Sequence, residues 1–194
     1  IPGTKSTISD LKWLRQSGLE AAVQKAAAAG TLIFGVCGGY QMLGKSVYDP
    51  DAVEAAGVTE IAGMGLIDMD TVFRGDKVQT QTQGVFENIT GLLADLNGIF
   101  YAGYEIHMGR SQEALPVLNG GGNVYGSYVH GIFDAPGVAD TILKALCLQK
   151  GIDLAALGTF DRNAYKEQQY DKLADAVREG LDMELVYKIL NREV

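Results

Sequence analysis

Positive charge is in short supply: 16 Lys and Arg against 24 Asp and Glu leave a net charge of −8. No basic run interrupts the chain, which argues against a general nucleic-acid binder or a partner of anionic membranes. No apolar stretch approaches the length that crosses a bilayer, and the start does not read as a signal peptide. The two cysteines, Cys37 and Cys147, lie far apart in unlike contexts. A disulfide framework is not expected, and a reducing cytoplasm fits. The Walker pattern and Gly-x-Gly-x-x-Gly are both missing, which removes the common phosphate-cradling loops. Histidine is confined to His107 and His130, and no metal site is expected. Glycine, by contrast, is abundant, with 25 residues gathered at strand–loop junctions. With 47% hydrophobic and 21% charged residues over 194 positions, the chain suits one soluble domain spanning 1–194. It begins at Ile1 rather than Met, and Ile1-Pro2-Gly3 reads as a strand end entering a loop. The chain is therefore read as a fragment lacking an upstream part.

The most informative stretch is Thr31–Gly44, TLIFGVCGGYQMLG. Leu32, Ile33, Phe34 and Val36 form a short buried-strand run. It stops at Cys37, two glycines follow, and Tyr40–Leu43 reads as a first helical turn. Strand, tight turn and helix around Gly35-Val36-Cys37-Gly38-Gly39 have the geometry of a nucleophile elbow with a thiol in place of a hydroxyl. A sharp turn strains the nucleophile's backbone, and a Cβ on its neighbours would clash. The helix N-terminus favours a thiolate, and its N–H groups can hold an oxyanion. The competing assignments for such a cysteine are a small core hydrophobe or part of a phosphate-holding turn.

Around the elbow the pattern is that of alternating helices and strands. Ser6 or Thr7 can cap a helix over Ile8–Ser17, with Asp10 in its first turn. Leu19–Ala29 is a second, Ala-rich helix closed by Gly30. Lys45–Ala62 shows a turn at Asp49-Pro50, a short helix over Val53–Ala56, and no chemistry. A strand leads through Val72-Phe73, Lys77–Gln83 alternates like an exposed strand, and Thr90–Leu96 is a turn or short helix. Phe100–Arg110 is a strand placing Glu105 and His107 on one face, where they bind a polar substrate or form a surface pair. Leu115–Gly122 is a loop, and Asn123–Phe133 is a strand with His130 near its end. A helix covers Gly137–Lys150, with Cys147 in the core. Tyr165–Asn191 is helical, broken near Gly180, with a solvated face. The fold class is α/β, a mostly parallel sheet flanked by helices, with the site at the carboxyl ends of the strands.

The elbow, PGTK at 2–5, GYEIHMG at 103–109 and YVHGIFD at 128–134 occur together and in this order. The chain resembles the class I glutamine amidotransferase domain found at the C-terminus of cobyric acid synthases, the amidating enzymes of cobalamin synthesis. The resemblance covers nearly the whole chain. Relatives built alike are cobyrinic acid a,c-diamide synthase and the glutaminase partner of a peptidoglycan amidotransferase. The resemblance implies a flavodoxin-like fold and glutamine as substrate. It implies Cys37 as nucleophile, His130 as general base and acid, the backbone N–H groups of Gly38 and Gly3 as oxyanion hole, and Gln41 as a holder of glutamine. Tyr104, Glu105 and His107 match a strand near the glutamine site. It further implies an N-terminal ATP-dependent synthetase domain as partner, with ATP, Mg2+ and the corrinoid bound there and no cofactor in this domain.

One position departs from the pattern. Many class I amidotransferases carry Glu two residues after the catalytic His, where this chain has Ile132. A Cys–His dyad is expected, with a backbone carbonyl, Glu105 or Asp134 orienting the imidazole. The same departure keeps open a non-catalytic domain that retains the fold. The elbow also keeps open a cysteine hydrolase of another amide or ester.

Overall fold

A computed structural model describes residues 1–54, 57–111, 117–153 and 162–193. The chain divides into two compact units, Ile1–Ile152 and Asp153–Val194.

In the first unit, α1 (Thr7–Gln16) buries Ile8 and Leu11. Its N-terminus is not capped by Ser6, whose side chain makes no capping bond. The carboxylate of Glu54 accepts the N–H groups of Thr7 and Ile8 instead. Gly18, in the left-handed region at φ 80°, turns the chain into α2 (Leu19–Ala28). The apolar run then forms β1 (Ile33–Val36), which leads through Cys37 into α3 (Gly38–Leu43), a helix with every residue buried.

Two sheets follow. In the first, β1 pairs in parallel with β7 (Val124–Ser127), which pairs antiparallel with β6 (Asn119–Gly121). In the second, the order is β3 (Glu60–Ala62), β2 (Ser46–Tyr48), β4 (Asp70–Val85), β5 (Phe100–Arg110). There β2 and β4 are parallel, while β2–β3 and β4–β5 are antiparallel. The class is α/β as expected, but among the described residues the sheets are mixed rather than mostly parallel. The two residues between β6 and β7 can make a hairpin and cannot make a crossover.

The core has two apolar clusters. One gathers Ile8, Leu11, Met42, Leu43, Val47 and Met69. The other gathers Phe86, Leu93, Tyr125, Val129, Ile132 and Val138, and α4 (Val138–Lys150) packs on it through Ile142 and Ala145. Cys147 is buried, as expected. Local expectations differ at three places. The strand expected over Asn123–Phe133 is only β7, because Ser127 Oγ turns back to accept the N–H of Val129 (3.0 Å). Within the loop expected over Leu115–Gly122, residues 119–121 form β6, while 115 and 116 lie outside the described residues. Val53 and Glu54 form a bend rather than a helix, held by Asp49, whose carboxylate accepts their N–H groups at 2.7 and 2.9 Å. Ala55 and Ala56 lie outside the described residues.

In the second unit, α5 (Arg162–Gly180) and α6 (Met183–Leu190) are separated near Gly180, as the pattern predicts. Asp182 caps α6 by accepting the N–H of Leu185 at 3.0 Å. Among the described residues no helix is long and apolar enough to cross a membrane.

Candidate active site

Cys37 stands between β1 and α3 with φ 51° and ψ −112°, outside the comfortable region for a side-chain-bearing residue. Its neighbours hold it there. Its N–H donates to Ser127 O (2.8 Å), and its carbonyl accepts the Gln41 N–H (3.0 Å). The elbow glycines are steric necessities. A Cβ on Gly35 would lie 2.7 Å from Gly39 O, and one on Gly39 would lie 2.3 Å from Ile1 O. The thiol is buried, with Sγ 3.7 Å from Ile106 O on β5. Burial pushes its pKa up, the Gly38 N–H opposes this, and the carboxylates of Glu105 and Glu54 add to the rise. The expected thiolate is therefore not favoured in the free site. The Gly38 N–H, first of the six-residue α3, is a smaller influence than desolvation of the thiolate.

His130 follows β7 and is tied to β5 by a two-bond bridge. Tyr104 N donates to His130 O (3.1 Å), and His130 N donates to Tyr104 O (2.8 Å). The Tyr104 ring stacks on the imidazole, with centroids 5.1 Å apart and planes 9° from parallel. Nε2 of His130 is buried and has no hydrogen-bond partner among the described residues. Burial, and secondarily His107, lowers its pKa, so the neutral base is favoured. Gly3 fits between base and thiol. A Cβ there would lie 3.2 Å from His130 Cε1 and 3.4 Å from Cys37 Cβ.

No acid occupies the position two residues beyond His130. Ile132 is 1% exposed and belongs to the second apolar cluster, so that position fills the core. Glu105, an expected orienter, instead faces His107, whose Nε2 is 3.2 Å from Glu105 Oε2. Nδ1 of His107 is 2.7 Å from Gly109 O, and its ring stacks on Tyr128 at 3.9 Å. The ring of His130 packs on that of Tyr104, and the backbone bridge holds the two residues side by side.

Gln41 is buried, and its amide lies within a polar network. Oε1 accepts from Thr7 Oγ1 (3.0 Å), and Nε2 is 3.5 Å from Tyr128 OH. Tyr128 OH is 2.6 Å from Ser111 Oγ, which is 3.0 Å from Thr71 Oγ1. The network ties α1 and α3 to β4 and to the residues that follow β5 and β7.

These groups open onto a cleft of about 620 Å³. Gly3, Cys37, Gln41, His107 and His130 line it, whereas Gly38, Tyr104 and Glu105 are not part of the lining. Two further lining residues, Glu54 and Lys77, carry no sequence motif. Glu54 falls in the stretch read as free of chemistry. Only the Asp49-Pro50 turn before it hinted at a fixed conformation there. Among the described residues no group of His, Cys, Asp and Glu could hold a metal ion.

Residues 1–138 match the CobB/CobQ-like glutamine amidotransferase domain. Among curated proteins the chain is similar to the cobyric acid synthase of Lachnoclostridium phytofermentans, 46% identical over all of this chain and 42% of that protein. It is 42% identical to that of Ruminiclostridium cellulolyticum and 43% identical to one from Dehalococcoides mccartyi, covering all of this chain and 41% of each protein. The chain thus spans about two-fifths of the length of these relatives. On this match the chain belongs to the CobB/CobQ-like glutamine amidotransferase domain family.

Proposed function

We propose that this chain is the glutaminase module of a cobyric acid synthase, hydrolysing glutamine and passing ammonia to an ATP-dependent synthetase domain that amidates corrinoid carboxylates. One observation carries the chemistry. A strained, buried thiol and an imidazole nitrogen with no partner among the described residues flank Gly3 in a single cleft. The pKa directions suit a neutral thiol beside a neutral base, ready for a proton transfer triggered by substrate.

In this reading Cys37 gives its proton to His130 Nε2 as Sγ bonds to the carboxamide carbon. The N–H groups of Gly38 and Gly3 hold the oxyanion. His130 returns the proton to the leaving nitrogen, the C–N bond breaks, and ammonia departs from a thioester. Water then attacks, His130 takes its proton, and glutamate leaves as the thiol is restored. Such a positioned acid–base group is worth roughly 10²–10⁴-fold. Gln41 supports the cleft wall through its network. ATP and Mg2+ belong to the remainder of the longer protein, and no step here uses them.

The test is intact-mass analysis after treatment with 6-diazo-5-oxo-L-norleucine. The reading expects one adduct, suppressed by glutamine and absent in Cys37→Ala. An adduct that persists in Cys37→Ala, or ester hydrolysis with no response to glutamine, overturns it.

A further inference from the structure

We infer that Glu54 and Lys77 form a clamp for the amino-acid end of glutamine, Glu54 accepting from the α-ammonium and Lys77 donating to the α-carboxylate. The inference rests on the glutaminase reading of the same cleft and names the groups that select its substrate.

The two charges reach the cleft from different elements by separate structural devices. Lys77 comes from an irregularity in the β4–β5 ribbon. Phe73 pairs with Gly109 and Val78 with His107, so residues 74–77 stand opposite Met108 alone. Bulges of this kind re-aim side chains and gather next to active sites. The other charges of the bulge are engaged: Arg74 is 4.0 Å from Asp51, and Asp76 pairs with Arg110. Lys77 makes no salt bridge among the described residues, and it lines the cleft. An unpaired ammonium on a cleft wall is suited to a carboxylate ligand.

Glu54 is prepared differently. Asp49 fixes its backbone, and its two oxygens accept from the first N–H groups of α1. Those bonds hold the carboxylate in one orientation and leave lone pairs for a further donor. As a cap of α1 alone, Glu54 would have no need to face the cleft, yet it lines it together with Cys37 and Gln41. A pair of opposite charges in the cleft that holds the thiol suits glutamine, whose reacting carboxamide is three bonds from the carbon bearing both charges. A ligand ammonium beside Glu54 also offsets one of the two carboxylates that disfavour the Cys37 thiolate. Bound substrate would thereby help to activate its own nucleophile. Lys5 is the other lysine on the cleft, and the test separates it from Lys77.

The experiment compares two alkylating probes on the full 194-residue chain. One is 6-diazo-5-oxo-L-norleucine, and the other is 6-diazo-5-oxohexanoate, which keeps the carboxylate and lacks the ammonium. With both, the diazo carbon takes the thiol proton, Sγ bonds to that carbon, and N2 leaves. Rates are divided by the iodoacetamide rate of the same variant, so that altered thiol ionisation cancels. Wild type is expected to prefer the ammonium-bearing probe by about 10- to 100-fold, the worth of a hydrogen bond to a charged group. Glu54→Gln should abolish that preference and leave the other probe unchanged. Lys77→Met should slow both probes by about 10- to 100-fold while keeping their ratio, and Lys5→Met should change neither. Equal slowing of both probes in Glu54→Gln would reduce Glu54 to a helix cap and overturn the clamp. Loss in Lys5→Met instead of Lys77→Met would overturn the lysine assignment. If wild type reacts equally with both probes and glutamine gives no protection, or if Cys37 is not alkylated at all, the glutaminase reading itself falls.

Discussion

At the scale of single residues, the site is governed by space as much as by charge. Gly3 is the clearest case. Adding a Cβ would press on both the imidazole and the base of the nucleophile, yet Gly3 lies on the surface outside both apolar clusters. Gly3→Ala is therefore expected to lower diazo-ketone labelling at least tenfold while the urea midpoint stays close to wild type. Equal losses in both would assign Gly3 a folding role. His130 supplies a pH signature. Its folded pKa lies below the ordinary 6.5, and burial is the main cause. Below about pH 6.5 the unfolded chain binds the proton first, so acidification through that value removes stability. Urea unfolding at pH 7.5 and 5.5 should show a smaller acid loss in His130→Gln than in wild type. Cys37 and His130 were legible in the sequence because each sits in a short motif beside glycine. Glu54 and Lys77 were not, because their place in the cleft comes from approaches between distant segments, which leave no periodic mark.

At the scale of elements, the cleft is assembled by connections rather than by regular structure. The helices, β1 and β5 follow from apolar periodicity and glycine stops, and their observed limits lie within a few residues of those expected. The bend at 49–54 does not, since Asp49 replaces helical bonds by accepting two N–H groups itself. Asp49 is 1% exposed, so removing its carboxylate leaves a buried void and two part-buried donors without their acceptor. Asp49→Ala is expected to cost about 2 kcal/mol, read by urea unfolding, and to loosen the seat of Glu54. It should then also weaken discrimination between the two diazo-ketones, whereas a distant core truncation of equal cost should leave discrimination intact. The mixed sheets belong to the same lesson. A strand's direction is set by where its connection lets it return, and strand composition alone does not record that.

For the whole molecule, the chain spans 42% of its Lachnoclostridium relative, and the proposed function makes it the ammonia source for the remainder of a longer protein. If ammonia is the only thing this module contributes, its chemistry and that of the remaining domain are separable. In the full-length protein, Cys37→Ala should abolish corrinoid amidation supported by glutamine and preserve amidation supported by an ammonium salt. Free ammonia bypasses thiol attack, the oxyanion hole and the His130 proton shuttle together, so every cleft variant that fails with glutamine should be rescued alike. Rising pH should strengthen rescue in Cys37→Ala, because the free amine is the nucleophile and its fraction grows with pH. Glutamine-driven turnover in wild type should instead require a neutral His130, which its lowered pKa preserves into mildly acidic solution. The two pH profiles should therefore separate, with glutamine the better nitrogen source toward acid pH. Loss of the ammonium-supported reaction in Cys37→Ala would mean that the cleft takes part in the amidation itself, and the ammonia-supplying role would be withdrawn.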